Sequence, residues 1–478
     1  MLRQLLSQTA IDPTNAEAQK LLTNMQGNIL KSHGREHTRH IFLQFDSSKI
    51  GEAKAWISTL EVTSALLQLQ DTKVNRETDT ETNLIPGEIF INFLLSAKGY
   101  QALGAKDTQL PPNKSFQRGM KSEETKKVLS DPSLDKWQPE FQQDIHALVI
   151  LAGDKEERLD IKLTRLLSEI GSFGRVILVD KGITLRNEAG KSIEHFGYVD
   201  GISQPLFLKG MLEKDAQDHG GHDKWDPSAS LDLVLQVDPN DSEGVGSYCV
   251  YRKLEQNVEG FKHKEEELAK KLHGGSATPA QIEQAGALAV GRFRDGTPVT
   301  LFSSPQGAAE AANNFDYGSD QDALKCPFQS HIRKTNPRGD THRFFQVPLE
   351  EEKRHRITRR GIPYGKPTST ESKGLLFICF QSDVANQFEF IQSRWANDGT
   401  FVKSNPGVDT LIGQGDSPHT HTWFKTWGDS SPSPATEKLD FSKFVTLRGG
   451  EYLFAPSINF LKEIKNKLQS STAPRPSM

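Results

Sequence analysis

Cysteine is scarce: Cys249, Cys326 and Cys379 are the three in 478 residues. They are too few for a disulfide scaffold and lack the paired spacing of a zinc site. No apolar run approaches the roughly 18 residues that mark a membrane-spanning helix. The start, MLRQLLSQTAIDPTNAEAQ, has only a short run before polar residues accumulate. It lacks the apolar stretch and small-residue cleavage site of a secretory signal. A cytoplasmic location is therefore expected, with encapsulation or another export route left open. Neither sign of charge is in excess: 58 Lys and Arg against 62 Asp and Glu leave a net charge of -4. That balance supports neither a nucleic-acid groove nor a disordered acidic chain.

What is present is a soluble-type chain too long for one comfortable core, so two or more domains or subdomains are expected. IFLQF (41–45), EIFINFLL (88–95), IHALVILAG (145–153) and GRVILVD (174–180) are short runs of branched and aromatic residues that predict strands. Between the last two, DKEERLDIKLTRLLSEIG places Leu159, Leu163, Leu166, Leu167 and Ile170 on one helical face, with Asp154 positioned to cap it. An α+β domain to about residue 205 follows. Beyond it, LDLVLQVD (231–238), THRFFQVPL (341–349), GLLFICFQ (374–381) and EYLFAP (451–456) predict further strands. EGFKHKEEELAKKLHG (259–274) predicts an exposed helix from its alternating charges, inserted in a second domain spanning 206–478. The terminal QSSTAPRPSM is expected to fray.

Three segments carry candidate chemistry. HFGYVDGISQP (195–205) sets Asp200 between Gly197 and Gly201. Such an aspartate is either a catalytic carboxylate or a turn residue bonded to its own backbone. CPFQSHIRKTNPRGD (326–340) sets His331 beside the cations Arg333, Lys334 and Arg338. An imidazole there either ligates a metal or satisfies a loop. With no complete zinc set nearby, a metal would need a cofactor that brings most of its own ligands, such as haem. The cations face either a cofactor carboxylate or water. RHRITRRGIPYG (354–365) is a second basic turn, whose guanidinium groups cannot act as bases but can orient an anion or polarised oxygen. An Asp that moves protons and an Arg that stabilises departing charge make a coherent peroxide-cleaving pair.

Taken together these segments resemble the dye-decolourising peroxidases. GYVDG fits their GxxDG pattern and ISQP continues it. CPFQSHIRKTNPR is similar to their proximal-histidine region, and ITRRGIPYG to their distal-arginine segment. NMQGNILKSHG (24–34), GRFRDGTP (291–298) and GGEYLFAPS (449–457) extend the resemblance over almost the whole chain.

The resemblance implies an α+β fold of two ferredoxin-like domains with antiparallel sheets, in the dimeric α+β barrel superfamily, and haem b (iron protoporphyrin IX) mainly in the second domain. His331 would be the iron ligand. Asp200 would mediate proton transfer from hydrogen peroxide, and Arg359 would assist cleavage of the oxygen bond, yielding a ferryl species that oxidises phenolic, azo or anthraquinone donors. Arg360 would pair with a haem propionate or an external carboxylate, Arg333 would approach a propionate, and Phe380 would form part of an apolar distal wall or simply core. Asp409 in VDTLIGQ is the expected acidic partner of His331, with Glu389 in FEFIQSRW the competitor. Trp395, Trp423, Trp427 and Tyr452 are loose candidates for passing electrons from the surface. A homo-oligomer is compatible with the resemblance; nucleic-acid and membrane partners are not expected. Two other readings stand beside this one: a haem-handling protein that releases iron, and a non-catalytic α+β interaction protein.

Overall fold

The computed structural model describes residues 2–77, 89–307, 313–403, 405–415 and 420–468. Glu88, the first residue of one expected strand, and the tail 469–478 lie outside them. The four early apolar runs form strands β1 (His37–Phe45), β2 (Phe90–Leu95), β3 (Ala147–Gly153) and β4 (Gly174–Ile183). Later in the chain come β5 (Asp241–Gln256), β6 (Ile362–Tyr364), β7 (Gly374–Gln381) and β8 (Val445–Ala455).

Neighbouring strands pair antiparallel in the order β5-β8-β2-β3-β1-β4-β6-β7, and β7 returns to β5. The result is a closed barrel rather than two separate sheets. Closure removes the exposed edges that each half would otherwise present. The halves meet at two narrow seams, Phe454 opposite Leu95 and Tyr364 opposite Gly182. Gly182 is required by crowding: a Cβ there would lie 2.4 Å from Thr38 Oγ1 and 2.6 Å from Ile362 Cγ2. Strands β1 to β4 precede residue 205, and β5 to β8 follow residue 206.

Helix α1 (Glu156–Ile170) buries Leu159, Leu163, Leu166 and Ile170 as its period predicts, while Leu167 is only partly covered. Asp154 does not cap it. Lys155 occupies that position, and Asp154 instead accepts hydrogen bonds from the Glu36 amide at 3.1 Å and Arg35 Nη1 at 3.2 Å. Two other expectations change. THRFFQVPL is not a strand: Asp340–Phe345 is a short helix between Gly339 (φ 91°) and Gln346 (φ 59°), anchored by the Asp340 carboxylate on Arg333. In LDLVLQVD only Gln236–Asp238 is extended, after a single 3-10 turn.

The charged run forms helix α2 (Val258–His273), but it is not simply exposed. Phe261, Leu268, Ala269, Leu272 and even Glu265 are buried, because this face packs on helix α3 (Pro279–Val290) in a second apolar cluster. Among the described residues no helix is long and apolar enough to cross a membrane.

Candidate active site

The segment 194–205 is shaped by its own backbone. Glu194 accepts hydrogen bonds from the amides of Phe196 (2.8 Å) and Tyr198 (3.0 Å), which closes the turn. Gly201 follows Asp200 with φ 88°, a conformation that favours glycine. Asp200 Oδ1 accepts the Gly201 amide at 2.6 Å, so the turn role is real. The same oxygen lies 3.4 Å from Arg359 Nη1, in an ion pair whose two side chains are each about one-third exposed. Arg359 stands on the two-residue strand Thr358–Arg359, beside β7. Its amide donates to Gln204 Oε1 at 3.0 Å and its Nη2 to the Ile202 carbonyl at 2.9 Å. The turn therefore grips the arginine at both ends while holding out the carboxylate.

His331 opens helix α4 (His331–Thr335). Its Nδ1 lies 2.9 Å and 3.1 Å from the two oxygens of Asp409, which has no exposed side-chain surface. Asp409 Oδ1 also accepts the amides of Leu411 and Ile412, each at 2.8 Å. Burial alone raises the Asp409 pKa, but the adjacent imidazole and these donors outweigh it and leave the group below the ordinary carboxylate value. Nδ1 is thereby committed to the carboxylate, and Nε2 is the ring nitrogen left for a metal.

Asp200, Arg359 and His331 all line one cavity of about 260 Å3. Its apolar walls come from Ile202, Leu254, Ile332, Leu375, Phe377 and Phe388. Four further arginines line it: Arg252, which is paired with Asp131, and Arg292, Arg338 and Arg356. Arg338 donates to the carbonyls of Asn313 (2.7 Å) and Phe315 (2.8 Å) and to Ser203 Oγ (2.6 Å), and Arg356 to those of Pro227 (3.3 Å) and Ser228 (2.9 Å). Burial, with Arg292 nearby, pushes the Arg338 pKa down to about 9, and burial lowers Arg292 and Arg356 to about 10. Buried cations answered by carbonyls and hydroxyls suit an anionic ligand. Among the described residues, no group of three or more His, Cys, Asp or Glu could hold a metal by itself. One imidazole backed by a carboxylate, apolar walls and buried arginines fit haem, which brings four nitrogen ligands and two propionates.

Comparison with known proteins agrees. Residues 24–182 match the family model described as DyP dimeric alpha+beta barrel domain, and 220–402 match that of the Dyp-type peroxidase C-terminal region. The chain belongs to the dye-decolourising peroxidase family. The multifunctional dye peroxidase DyP2 of an Amycolatopsis species is 38% identical, over 94% of this chain and 97% of that protein. The crystal structure of a DyP-type peroxidase from an Anabaena species superposes with a TM-score of 0.90 at 44% identity, covering 97% of this chain and 99% of that one. A Yersinia pestis protein named deferrochelatase is 31% identical, but over only 27% of this chain and 31% of its own length. Family membership makes this a haem-dependent peroxidase, with the large antiparallel barrel its fold requires.

Within this dye-decolourising peroxidase, several expected residues stand elsewhere. Arg333 does not reach the cavity. It is wholly buried, with Nε 2.7 Å from Asp340 Oδ2 and Nη1 3.0 Å from Asp320 Oδ2, and its guanidinium sits 4.3 Å and 4.4 Å from the ring centroids of Tyr317 and Phe328. Lys334 is likewise turned inward, donating to the Asp398 carbonyl at 2.6 Å. Of the three cations, Arg338 is the one at the cavity, because a left-handed turn at Arg338 itself (φ 46°) redirects the chain. Arg360 also points away, donating to the carbonyls of Asn28 (2.8 Å) and Ile29 (2.9 Å). Phe380 is core, fully buried; Phe377, on the same strand, takes the wall position. Glu389 is held by Ser115 (2.7 Å), Arg118 (3.1 Å) and Tyr452 (3.0 Å), and not by His331. Trp423 and Tyr452 are fully buried and Trp395 nearly so, which leaves Trp427 as the partly exposed member of that group.

Proposed function

We propose that the cavity binds haem b with His331 Nε2 as the protein ligand to iron, and that the enzyme uses hydrogen peroxide to oxidise phenolic, azo or anthraquinone-like donors. The observation that carries this reading is the Asp200–Arg359 ion pair lining the same cavity as the Asp409–His331 pair. Arg292, Arg338 and Arg356 would hold the propionates, and Ile202, Phe377 and Phe388 would pack on the macrocycle. When bound, haem supplies the redox chemistry.

The chain supplies the rest. The Asp200 carboxylate takes a proton from peroxide on one oxygen and returns it to the leaving one. Partial exposure keeps it able to exchange that proton, and the Gly201 amide on Oδ1 fixes its direction. Arg359 stabilises the negative charge that develops between these two transfers. Asp409 holds the Nδ1 proton of His331, which sets the tautomer and raises the basicity of Nε2. Bulky donors need not enter the pocket, since only electrons must reach it.

A cytoplasmic setting fits the three thiols, Cys249, Cys326 and Cys379, all buried and free. We read the chain as two lobes, 1–205 and 206–478, with Asp200 carried at their junction. The partial likeness to a deferrochelatase favours, as second reading, release of iron from haem. Stopped-flow spectra of the haem-loaded protein decide between them: a Soret band that changes on mixing with peroxide and recovers with donor oxidation is expected. Haem binding with no peroxide response and rapid loss of iron would overturn the peroxidase reading, and absence of a Soret band would favour a non-catalytic protein.

A further inference from the structure

The helix Glu123–Leu129 ends in a left-handed turn at Ser130 (φ 54°), and the Asp131 amide donates back to the Lys126 carbonyl at 2.9 Å. The Asp131 side chain has no exposed surface. It does not line the cavity, yet it holds two side chains that do. Arg252 of β5 donates to Asp131 Oδ2 at 2.9 Å and to Oδ1 at 2.5 Å, with its guanidinium 5.4 Å from the centre of the Phe388 ring. Gln414 Nε2 donates to the same Oδ1 at 2.8 Å. Gln414 ends the turn that Asp409 begins: the Asp409 carbonyl accepts the Gly413 amide at 3.1 Å, and its Oδ1 caps Leu411 and Ile412. Asn397 fastens this turn a second time. Its Oδ1 accepts the Gln414 amide at 2.9 Å, and its Nδ2 donates to the Leu129 carbonyl at 2.8 Å. Gln392 Nε2 donates to Asn397 Oδ1 and to the Ile412 carbonyl, each at 2.8 Å. The acid behind His331 thus stands in a short turn whose far end is tied at two points to residues 129–131, in the first lobe.

We propose that Asp131 and Gln414 are positioning residues for the proximal pair: the first lobe, through Asp131, holds the turn that presents the Asp409 carboxylate to His331 Nδ1. It thereby sets how strongly this histidine donates to iron. A hydrogen bond to a charged group is strong only at short distance and good alignment. Asp409 Oδ1 is shared between the imidazole and two amides of its own turn, so any drift of the turn carries the carboxylate with it. Supporting contacts must hold such a group to within about 0.5 Å. An ion pair between Asp131 and Arg252 would by itself be enough to join the lobes. The Gln414 contact adds the proximal turn to that joint, and the second tie, from Asn397 to Leu129, keeps it from pivoting. No proton or electron passes through Asp131 in this role.

This inference rests on His331 being the haem ligand, and the test separates the two. Resonance Raman spectra of the ferrous, haem-loaded protein report the iron–histidine stretch, which falls in frequency as the hydrogen bond on Nδ1 weakens and the imidazole becomes less basic. The haem reduction potential is titrated on the same preparations. Gln414→Met keeps the length of the side chain and the Asp131–Arg252 pair, but cannot donate to Asp131. It is expected to lower the stretch and raise the potential, in the direction of Asp409→Asn and by less. Asp131→Asn, whose neutral amide is a weaker acceptor, should shift both the same way. Added to Asp409→Asn, Gln414→Met should cause no further shift, because the carboxylate through which it acts is gone. An unchanged stretch and potential in Gln414→Met overturn the proposal. A shift that persists undiminished in the Asp409→Asn background also overturns it, since Gln414 would then act on the haem directly. An unchanged stretch in Asp131→Asn overturns the part given to the first lobe. Absence of an iron–histidine band in the wild type instead overturns ligation by His331.

Discussion

His331 Nδ1 and Asp409 Oδ2 lie 2.9 Å apart, with the carboxylate wholly shielded from water. A buried anion on the far side of a ligating imidazole pushes electron density toward the metal. Replacing Asp409 by Asn keeps the size but removes the charge. Donor oxidation is expected to fall about 10- to 100-fold, the usual range for loss of such a partner. The haem reduction potential should rise in a spectroelectrochemical titration. An unchanged potential would remove Asp409 from the role assigned to it.

The ion pair of Asp200 with Arg359 joins the carboxylate proposed to move protons to a guanidinium held by the same turn. Asp200→Asn should slow the reaction with peroxide about 10²- to 10⁴-fold, the range of general acid–base catalysis, while the Soret band persists. Arg359→Leu should cost about 10²- to 10³-fold through loss of charge stabilisation. Because the side chains contact each other, the double variant should be less impaired than the product of the single losses. Fully multiplicative losses in stopped-flow kinetics would show that they act separately.

Arg333 and Arg338, five residues apart, should fail differently. Arg333→Met leaves Asp320 and Asp340 without their buried cation, at a cost of about 3–5 kcal/mol. Arg338→Met leaves carbonyls and hydroxyls rather than buried carboxylates, so the fold should survive more often while haem is held more weakly. Urea unfolding and haem transfer to apomyoglobin measure the two effects. An Arg338→Met variant that keeps haem as tightly as wild type would argue against a propionate contact.

Part of this was legible in the chain's residues alone. The runs that form β1 to β4 are short, apolar and branched, and β1, β2 and β3, buried along nearly all their length, need little else. Asp200, His331 and Arg359 were reachable because each sits in an ordered motif. Strand β5 escaped notice, since its basic end, YRKLEQ, hides the period in a chain that is paired on both sides. THRFFQVPL misled because aromatic content suggests a strand, whereas Asp340 is tied to Arg333 and Arg343 by ion pairs that composition does not reveal. Arg333 and Arg338 are chemically alike in sequence. A single left-handed residue, visible only in three dimensions, decides which of them faces the cavity.

His40 offers a test of the barrel apart from the cavity. It is 1% exposed, packs edge-on to Tyr251 at 5.7 Å, and its Nδ1 has no hydrogen-bond partner among the described residues. Burial, with His33 adding to it, lowers its pKa to about 3. The unfolded chain protonates this histidine below about pH 6.5. The folded chain does not do so until about pH 3. Its depressed pKa therefore gives stability that is present above the unfolded value and is lost as pH falls toward the folded one. Between about pH 7.5 and pH 5 the loss from this group alone is about 2 kcal/mol. His40→Leu is apolar and cannot titrate, so urea midpoints measured at the two pH values should differ less in the variant than in the wild type. The comparison is internal to each protein, so any loss of the ring contact with Tyr251 cancels. An equal pH dependence in both would mean that His40 is protonated as readily inside the barrel as outside it.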